Sequence, residues 1–192
     1  MLPHPPALRR GDFSTNLVFE GHAIVSADGM IAADDGAVPE ALRNDADWQQ
    51  FQAALDASAV VVLGRLGHRR HPNPGRRRLV LTGGVDGIMP DQHDPGALLF
   101  NPAGATLAAA LEALGVGQGT VAVTGGTRTF DYFLPLLDRF VLTEAQRVVL
   151  PTGRPCFSMG HPRSLLAAAG LRPRHFAVLD AGADVTVTHW ER

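Results

Sequence analysis

The stretch Thr120-Val121-Ala122-Val123-Thr124-Gly125-Gly126-Thr127 joins a continuous apolar run of strand length to a glycine pair that ends it. Strands buried on both faces of a sheet have such runs. The glycines would leave bare backbone N–H groups where a helix begins. Three similar runs precede this one, at residues 59–63, 78–82 and 97–100. The sequence therefore predicts an α/β domain with a mostly parallel central sheet.

Other strands and helices are predicted around these runs. Residues 16–25 and 139–143 have strand character, and Asp45 is predicted to cap a helix. In that helix, apolar side chains recur at helical spacing, at Trp48, Phe51 and Leu55. Two further helices are predicted at 106–114 and 127–137. A hairpin at 175–179 and 184–188 would add an antiparallel edge.

Length and composition indicate one domain. The chain has 192 residues, of which 45% are apolar, and a formal net charge of −2, which suits a globular rather than a disordered chain. Residues 1–15 are predicted to be a flexible N-terminal arm because they carry proline, glycine and charge without periodicity. Residues 16–192 are expected to form a single domain, since no linker or repeat divides them.

Several classes of chemistry are excluded by residue type. Cys156 is the single cysteine, so an internal disulfide framework is ruled out. All 17 basic residues are arginines, which removes Schiff-base lysines and the P-loop lysine. No export signal or membrane-spanning segment is readable. We therefore expect a cytoplasmic protein with neither a membrane nor a nucleic-acid partner.

Three segments carry chemistry suited to a ligand. In an open α/β sheet, ligands bind beyond the carboxyl ends of the strands, where Gly64-Arg65 and residues 124–127 are expected to lie. Glycine permits close backbone approach and arginine captures phosphate. Asp47 is a candidate proton-transfer carboxylate if burial raises its pKa. The alternative for Gly64-Arg65 is a surface turn, and the alternative for residues 124–127 is a tight strand-to-helix turn. For Asp47, the alternative is an acid that merely stabilises the start of the helix.

An arginine-rich run is the most charged part of the chain. It comprises Arg65, Arg69, Arg70, Arg76, Arg77 and Arg78, with His68 and His71 between them. No aromatic residue interleaves the run, so a nucleic-acid strand would find no stacking platform. A phosphorylated small molecule fits the short span better. A metal site is not expected, because the two histidines lack carboxylates on the same element. Ser26 and Cys156 are not expected to act as nucleophiles.

Together, these segments resemble the dihydrofolate-reductase-like superfamily over residues 17–192. This superfamily includes dihydrofolate reductases and the reductase domain of riboflavin-biosynthesis deaminase/reductases. The matching segments, in order, are residues 23–32, Asp47-Trp48 with Phe51, 62–65, 74–82, 123–130, 133–135 and 138–144. The resemblance implies a three-layer fold, with helices on both faces of the sheet.

The resemblance also implies an NADPH-dependent reductase. Arg65 would contact the adenosine 2′-phosphate, Gly125 and Gly126 the pyrophosphate, and Asp47 would be the pocket carboxylate with Thr143 as its partner. The remaining cofactor-binding residues implied are Ala23, Ile31, Gly64, Thr82, Thr124 and Thr127. The substrate-binding residues implied are Ile24, Trp48, Phe51, Arg76 and Phe130. Arg76 matches the arginine that binds the glutamate tail of folate, although a ribose phosphate could use the same group.

Departures from the family patterns bear on the substrate. Residues 26–32 are close to the loop signature of riboflavin-pathway reductases, residues 152–157 resemble another of their segments, and the Leu-Pro-Trp segment of many dihydrofolate reductases is absent. A ribosylaminopyrimidine is therefore the preferred substrate, although residues 74–76 and 142–144 favour dihydrofolate. Gly67 and Phe130 replace an expected threonine and tyrosine, which leaves open a domain that binds a dinucleotide or pterin without turnover. A homodimer is also left open.

Overall fold

Eleven strands and five helices make up the described part of the chain. The computed structural model describes residues 8–71 and 75–192. The strands are β1 (Leu17–Ser26), β2 (Met30–Ala32), β3 (Val60–Gly64), β4 (Arg78–Leu81), β5 (Ile88–Pro90), β6 (Ala97–Phe100), β7 (Gly119–Val123), β8 (Arg139–Ala145), β9 (Arg154–Pro155), β10 (Arg172–Asp180) and β11 (Val185–Glu191). The helices are α1 (Asp45–Ala57), α2 (Arg65–Arg70), α3 (Leu107–Ala113), α4 (Thr127–Phe133) and α5 (Pro162–Ala168).

Nine strands form one sheet in the order β10-β11-β8-β1-β7-β3-β4-β6-β5. Every pairing from β8 to β6 in this order is parallel. β11 and β10 are antiparallel at one edge and β5 at the other. The predicted parallel sheet with an antiparallel C-terminal edge is confirmed. The parallel arrangement brings the carboxyl ends of β1, β3, β4 and β7 to one side of the sheet.

Both faces of the sheet are covered, which explains the continuous apolar runs. Along β3, Val60 and Val62 face a large core that includes residues of α3, α4 and α5. Val61 and Leu63 face a smaller cluster that includes Leu55 of α1. Because side chains alternate along a strand, burial on both faces requires every residue of the run to be apolar. The helices therefore lie on both faces, as expected.

The N-terminus of α1 differs from the prediction. Asn44, not Asp45, is the capping residue: its side-chain oxygen accepts hydrogen bonds of 3.1 Å from the N–H groups of Ala46 and Asp47. The Asn44 amide nitrogen also donates to Asp180 at 3.1 Å, which ties α1 to the end of β10. Asp45 is exposed. The cap thus fixes the backbone position of Asp47 in the first turn of α1.

Two other elements differ from those that the sequence pattern predicts. The helix predicted at 127–137 ends at Phe133, and a 3₁₀ turn (Leu134–Leu136) follows. Pro135 explains the break, because it has no N–H to continue the α-helical hydrogen bonds. Residues 30–32, expected to be a loop, form β2 and pair with β9 in a separate two-stranded sheet.

Part of the predicted N-terminal arm packs against the domain. The Arg10 Nε atom donates to the Asp138 carboxylate at 2.7 Å, and the Phe13 ring meets Phe19 edge-on at 5.2 Å. Arg10 and Phe13 therefore contact the domain, and residues 1–7 lie outside the described residues. The flexibility of the arm stays a prediction. No helix in the described ranges is both long enough and apolar enough to span a membrane.

Candidate active site

A cleft of about 1860 Å³ opens where the parallel strands end. On one side, called the β3 side below, its wall is formed by the turns that follow β3, β4 and β7. On the β1 side, it is formed by β1 and α1. Except for Thr143, every residue that the sequence assigned to the site lines this cleft: Ala23, Ile24, Ile31, Asp47, Trp48, Phe51, Gly64, Arg65, Arg76, Thr82, Thr124, Gly125, Gly126, Thr127 and Phe130.

Two glycine turns are joined at the β3 side. The Gly64 N–H donates to the Gly125 carbonyl at 3.0 Å, and the Thr124 N–H donates to the Val62 carbonyl at 2.8 Å. Gly125 has a φ of +109°, and a Cβ there would lie 2.9 Å from the Phe130 ring. A Cβ at Gly126 would meet no atom within 4 Å. Gly125 is therefore required by packing, whereas Gly126 presents open backbone to the cleft.

Phe130 has a structural part in this arrangement. Its side chain is 1% exposed and packs against Phe140 and Phe157, with ring centroids 5.5 and 5.7 Å away. The ring supports the underside of the Gly125 turn. The sequence-based role of Phe130 in substrate binding stays a prediction.

Arg65 is the first residue of α2 and directly follows Gly64. Its side chain extends towards the turn after β4. A Cβ at Gly84 would lie 3.8 Å from an Arg65 terminal nitrogen, so this guanidinium lies beside the turn after β4. The Gly84 N–H donates to the Thr82 hydroxyl at 3.1 Å, which shapes that turn. Among the described residues, no hydrogen-bond acceptor is found for the Arg65 guanidinium, which leaves its donors to face solvent or a ligand.

Among the charged side chains that line the cleft, basic ones outnumber acidic ones. Its arginines are Arg43, Arg65, Arg70, Arg76, Arg78, Arg128 and Arg154, and its acids are Glu20, Asp45 and Asp47. Arg70 and Arg154 bind backbone carbonyls of the loop after β2, at Asp35 and Asp34. The excess of positive charge favours an anionic ligand.

Asp47 is partly buried in the cleft. Burial raises its pKa, while the Thr143 hydroxyl and the charge of His22 act in the opposite direction. Thr143 lies on β8 and is 1% exposed, behind the cleft wall. A carboxyl with a raised pKa retains its proton to a higher pH and is suited to proton transfer. Asp45 is exposed, so the structure distinguishes the two acids.

Trp48 and Phe51 form an aromatic edge next to Asp47. Their ring centroids lie 5.9 Å apart, and the Trp48 side chain is 54% exposed. An exposed indole at the rim of a cleft offers a flat apolar surface to a planar ligand.

Arg76 is already bound by α1. Its Nε atom donates to Asp56 at 2.9 Å, and one terminal nitrogen donates to the Gln52 side chain at 2.9 Å. The other terminal nitrogen donates to Asp56 at 2.6 Å. All three nitrogens of this guanidinium therefore have partners on one helix, which a ligand carboxylate would have to displace.

The arginine-rich run does not form one surface. Arg78 is 1% exposed, and its terminal nitrogens contact His68 Nδ1 and the His71 carbonyl, both at 3.0 Å. On its other side, His68 lies 3.4 Å from Asp91. The run is thus divided: Arg78 is buried, Arg65, Arg70 and Arg76 line the cleft, and Arg69 and Arg77 are exposed outside it. Cys156 is buried, and burial raises the pKa of its thiol, consistent with a core residue.

Sequence reasoning missed the polar groups at the β1 side. His22 and Glu20 of β1 and His189 of β11 also line the cleft. The available signal was the two-residue strand period, because Glu20, His22 and Ile24 alternate on one face. His22 and His189 both pair with Val141 of β8. Their meeting depends on this cross-strand register, which the local sequence does not specify.

The comparisons with known proteins rest on structure. No protein-family model matches the chain, and no curated protein shows significant sequence similarity to it. A protein ascribed to riboflavin biosynthesis from Shewanella sp. PV-4 is similar in structure, with 22% identity, a TM-score of 0.64, and coverage of 91% of this chain and 98% of that chain.

Two other solved structures are similar at lower identity. Dihydrofolate reductase from Enterococcus faecalis, complexed with NADP(H) and RAB-propyl, has 19% identity, a TM-score of 0.63, and coverage of 91% of this chain and 96% of that chain. A diaminohydroxyphosphoribosylaminopyrimidine deaminase/5-amino-6-(5-phosphoribosylamino)uracil reductase from Thermotoga maritima has 13% identity and a TM-score of 0.65. That match covers 92% of this chain and 56% of that chain. The chain has the dihydrofolate-reductase-like fold.

Proposed function

We propose that this chain is an NADPH-dependent reductase of a small nitrogen heterocycle, with a ribosylaminopyrimidine as its preferred substrate. One observation carries the proposal. One side of the cleft has open glycine backbone and an arginine with no hydrogen-bond acceptor in the described part of the chain, and the other side has a half-buried carboxylate of raised pKa. The reductases named above share this fold.

The β3 side of the cleft fits a dinucleotide phosphate. Gly126 would take the pyrophosphate, because its backbone is open where a side chain would intrude. Arg65 would take the 2′-phosphate, since its guanidinium lies beside the Thr82–Gly84 turn and is suited to bidentate phosphate capture. The helix after Gly126 has only seven residues, so the open backbone and the arginines would hold the phosphates. The structural neighbour with NADP(H) supports the same cofactor.

The chain's own residues would position the substrate and handle its proton. When bound, NADPH supplies the hydride. Asp47 would deliver or stabilise a proton at the heteroatom next to the carbon that takes the hydride, and burial keeps this carboxyl protonated at higher pH than a free aspartate. Phe51 and Trp48 would pack on the ring and exclude water from its surroundings.

The substrate preference rests on Arg76. Folate has a carboxylate tail, and the arginine that matches the tail-binding residue is held by Asp56 and Gln52. A pyrimidine without that tail does not require a free arginine there. The loop signature at 26–32 favours the same substrate, as do the riboflavin-pathway neighbours. Dihydrofolate is the alternative.

Titration with NADPH and NADH, followed by fluorescence and thermal unfolding, tests the proposal. Binding raises the melting temperature through mass action, and we expect a clear preference for NADPH. Binding of neither cofactor would overturn the proposal. A domain that binds NADPH without turnover is the second candidate, favoured by the burial of Phe130 where a tyrosine was expected. Oxidation of NADPH that depends on 5-amino-6-(5-phosphoribosylamino)uracil would exclude it.

A further inference from the structure

The first turn of α1 has no buried side chain to hold it in place. Leu55, in the third turn, is the only residue of α1 that is buried. Asp45 and Trp48 are exposed, and Asp47 is half-buried. The first N–H groups of a helix have no partners within the helix, and helix ends fray readily. The position of Asp47 therefore depends on contacts made just before the helix begins.

Two residues that precede α1 make these contacts. Leu42 is 1% exposed and packs with Ala145 of β8 and Val185 of β11. The side-chain oxygen of Asn44 then accepts a hydrogen bond of 3.1 Å from the N–H of Asp47. Leu42 anchors the chain that enters α1, and Asn44 fixes the first turn of the helix.

Asp180 determines how the Asn44 amide is turned. The Asn44 nitrogen donates to one Asp180 oxygen at 3.1 Å, and the other oxygen accepts from the Ala183 N–H at 3.0 Å. The Ala183 N–H is the largest cause that lowers the pKa of Asp180, which keeps it a carboxylate. A carboxylate only accepts hydrogen bonds, so the amide nitrogen must face Asp180 and the amide oxygen must face the helix. The turn between β10 and β11 thus orients the cap of α1.

We infer that Asn44, oriented by Asp180, is a positioning residue for Asp47: it holds the first turn of α1 so that the Asp47 carboxyl stays in the half-buried part of the cleft. This inference rests on the role of Asp47 in the proposed function. The Thr143 hydroxyl is the partner of the carboxyl in that position. Burial is the largest cause that raises the Asp47 pKa, so fraying of the first turn would expose the carboxyl and lower its pKa.

The direct test is titration of the Asp47 side chain, followed by NMR of its carboxyl carbon in the chain without any ligand. Asn44→Ala removes the cap, whereas Asn44→Ser retains an oxygen that can accept from the helix. Thr106→Ala is the matched control. Thr106 caps α3, with its hydroxyl accepting from the Ala109 N–H at 3.2 Å, and it does not line the cleft.

Other ionisable groups near the start of α1 are unchanged in all of these variants. Those that line the cleft with Asp47 are Glu20 and His22 on β1, His189 on β11, and Arg43 and Asp45 next to it along the chain. Among them, the charge of His22 lowers the Asp47 pKa. A change in the Asp47 pKa between variants therefore reports its own position rather than a lost charge.

The Asp47 pKa is expected to fall towards that of a free aspartate in Asn44→Ala and to stay near the wild-type value in Asn44→Ser and Thr106→Ala. Loss of either cap is expected to lower the folding equilibrium constant roughly 2- to 30-fold, so the two alanine variants are matched in stability. In turnover, the fall of kcat/KM with rising pH should begin at lower pH in Asn44→Ala. An unchanged Asp47 pKa in Asn44→Ala, or an equal fall in Thr106→Ala, would overturn the inference.

If Asn44→Ala does not fold, Asp180→Asn provides the test, because it leaves Asn44 in place. An amide at this position still accepts from Ala183 but turns an N–H group towards the Asn44 nitrogen, which competes with the cap. The Asp47 pKa is expected to fall. Asp184→Asn is the control for charge removal, since Asp184 lies in the same turn and pairs with Arg147 instead. Equal shifts in the two variants would exclude Asp180 as the residue that orients Asn44.

The NMR titration requires neither NADPH nor turnover, so this inference and the proposed function fail separately. An Asp47 pKa that depends on Asn44, in a chain that binds no NADPH, would refute the reductase proposal and leave the positioning contact standing. Oxidation of NADPH by a chain whose Asp47 pKa does not respond to Asn44→Ala or Asp180→Asn would do the reverse.

Discussion

The Gly64 N–H donates a 3.0 Å hydrogen bond to the Gly125 carbonyl, which joins the turn after β3 to the turn after β7. The residues next to this bond, Arg65 and Gly126, face one cleft from two strands. The hydrogen bond fixes the backbone at the start of α2 relative to the open backbone at Gly126.

Gly126→Val is expected to abolish NADPH binding, because its side chain would occupy the open space over the turn. Gly117→Val is the matched control, since a Cβ there also meets no atom within 4 Å and Gly117 does not line the cleft. Fluorescence titration measures binding, and thermal unfolding reports folding. Gly125→Val is a poorer test, because the positive φ and the Phe130 ring predict destabilisation. Unchanged NADPH affinity in Gly126→Val would remove the turn from the cofactor site.

Arg65→Ala is expected to weaken NADPH binding about 10- to 100-fold, the range for a hydrogen bond to a charged group, and to leave NADH nearly unaffected. Only NADPH carries the 2′-phosphate. Arg69→Ala, on the same helix but outside the cleft lining, is the control for charge removal. Equal losses for both cofactors would mean that Arg65 does not contact the discriminating phosphate.

Asp47→Asn is expected to lower kcat by roughly 10²–10⁴, the usual contribution of general acid–base catalysis, with little change in the Kd for NADPH. In the wild type, kcat/KM should fall as pH rises through the raised pKa of Asp47, because the proton is then lost. This limb of the pH profile should vanish in Asp47→Asn. Full activity in the variant would exclude Asp47 as the proton donor.

The raised pKa of Asp47 also predicts how the free energy of unfolding depends on pH. Because the folded-state pKa of Asp47 is raised, the folded chain binds more protons than the unfolded chain between the two pKa values. The free energy of unfolding therefore decreases as pH rises above the unfolded pKa of about 3.9. Asp47→Asn should be more stable than the wild type at neutral pH, and the difference should disappear in acid. Denaturant unfolding over this pH range provides the check; a constant difference would contradict it.

Asp56→Ala is expected to improve dihydrofolate binding by a few-fold, because it releases Arg76 from an ion pair that is partly exposed and hence worth about 1 kcal/mol or less. The Asp56 side chain is 70% exposed, so its removal should not disturb folding. Calorimetric titration with dihydrofolate, compared with the wild type, measures the effect. No change in affinity would mean that Arg76 does not meet the folate tail.

The parallel sheet could be predicted because each of its buried strands is a run of consecutive apolar residues in the sequence. Residues 59–63 and 121–123 are apolar at every position, which only burial on both faces requires. β2 and β9 have three and two residues, too short for any periodicity. The break after Phe133 had a local signal in Pro135, which the apolar helical pattern outweighed.

The candidate site was predicted where one segment carries its chemistry, as with Gly64-Arg65. It was incomplete where distant segments meet. Arg76 is held by Gln52 and Asp56, which lie 24 and 20 residues away along the chain. No local sequence pattern therefore shows that the Arg76 guanidinium already has hydrogen-bond partners. His22 was missed because an isolated histidine in an apolar strand gains significance only beside its cross-strand neighbours.

The most direct measurement is NADPH consumption by the purified chain supplied with 5-amino-6-(5-phosphoribosylamino)uracil, with product formation measured alongside. We expect one molecule of NADPH to be oxidised per molecule of pyrimidine reduced, with NADH a poor substitute and Asp47→Asn nearly inactive. If bound NADPH remains unoxidised in the presence of this pyrimidine and of dihydrofolate, the cleft is not a reductase site.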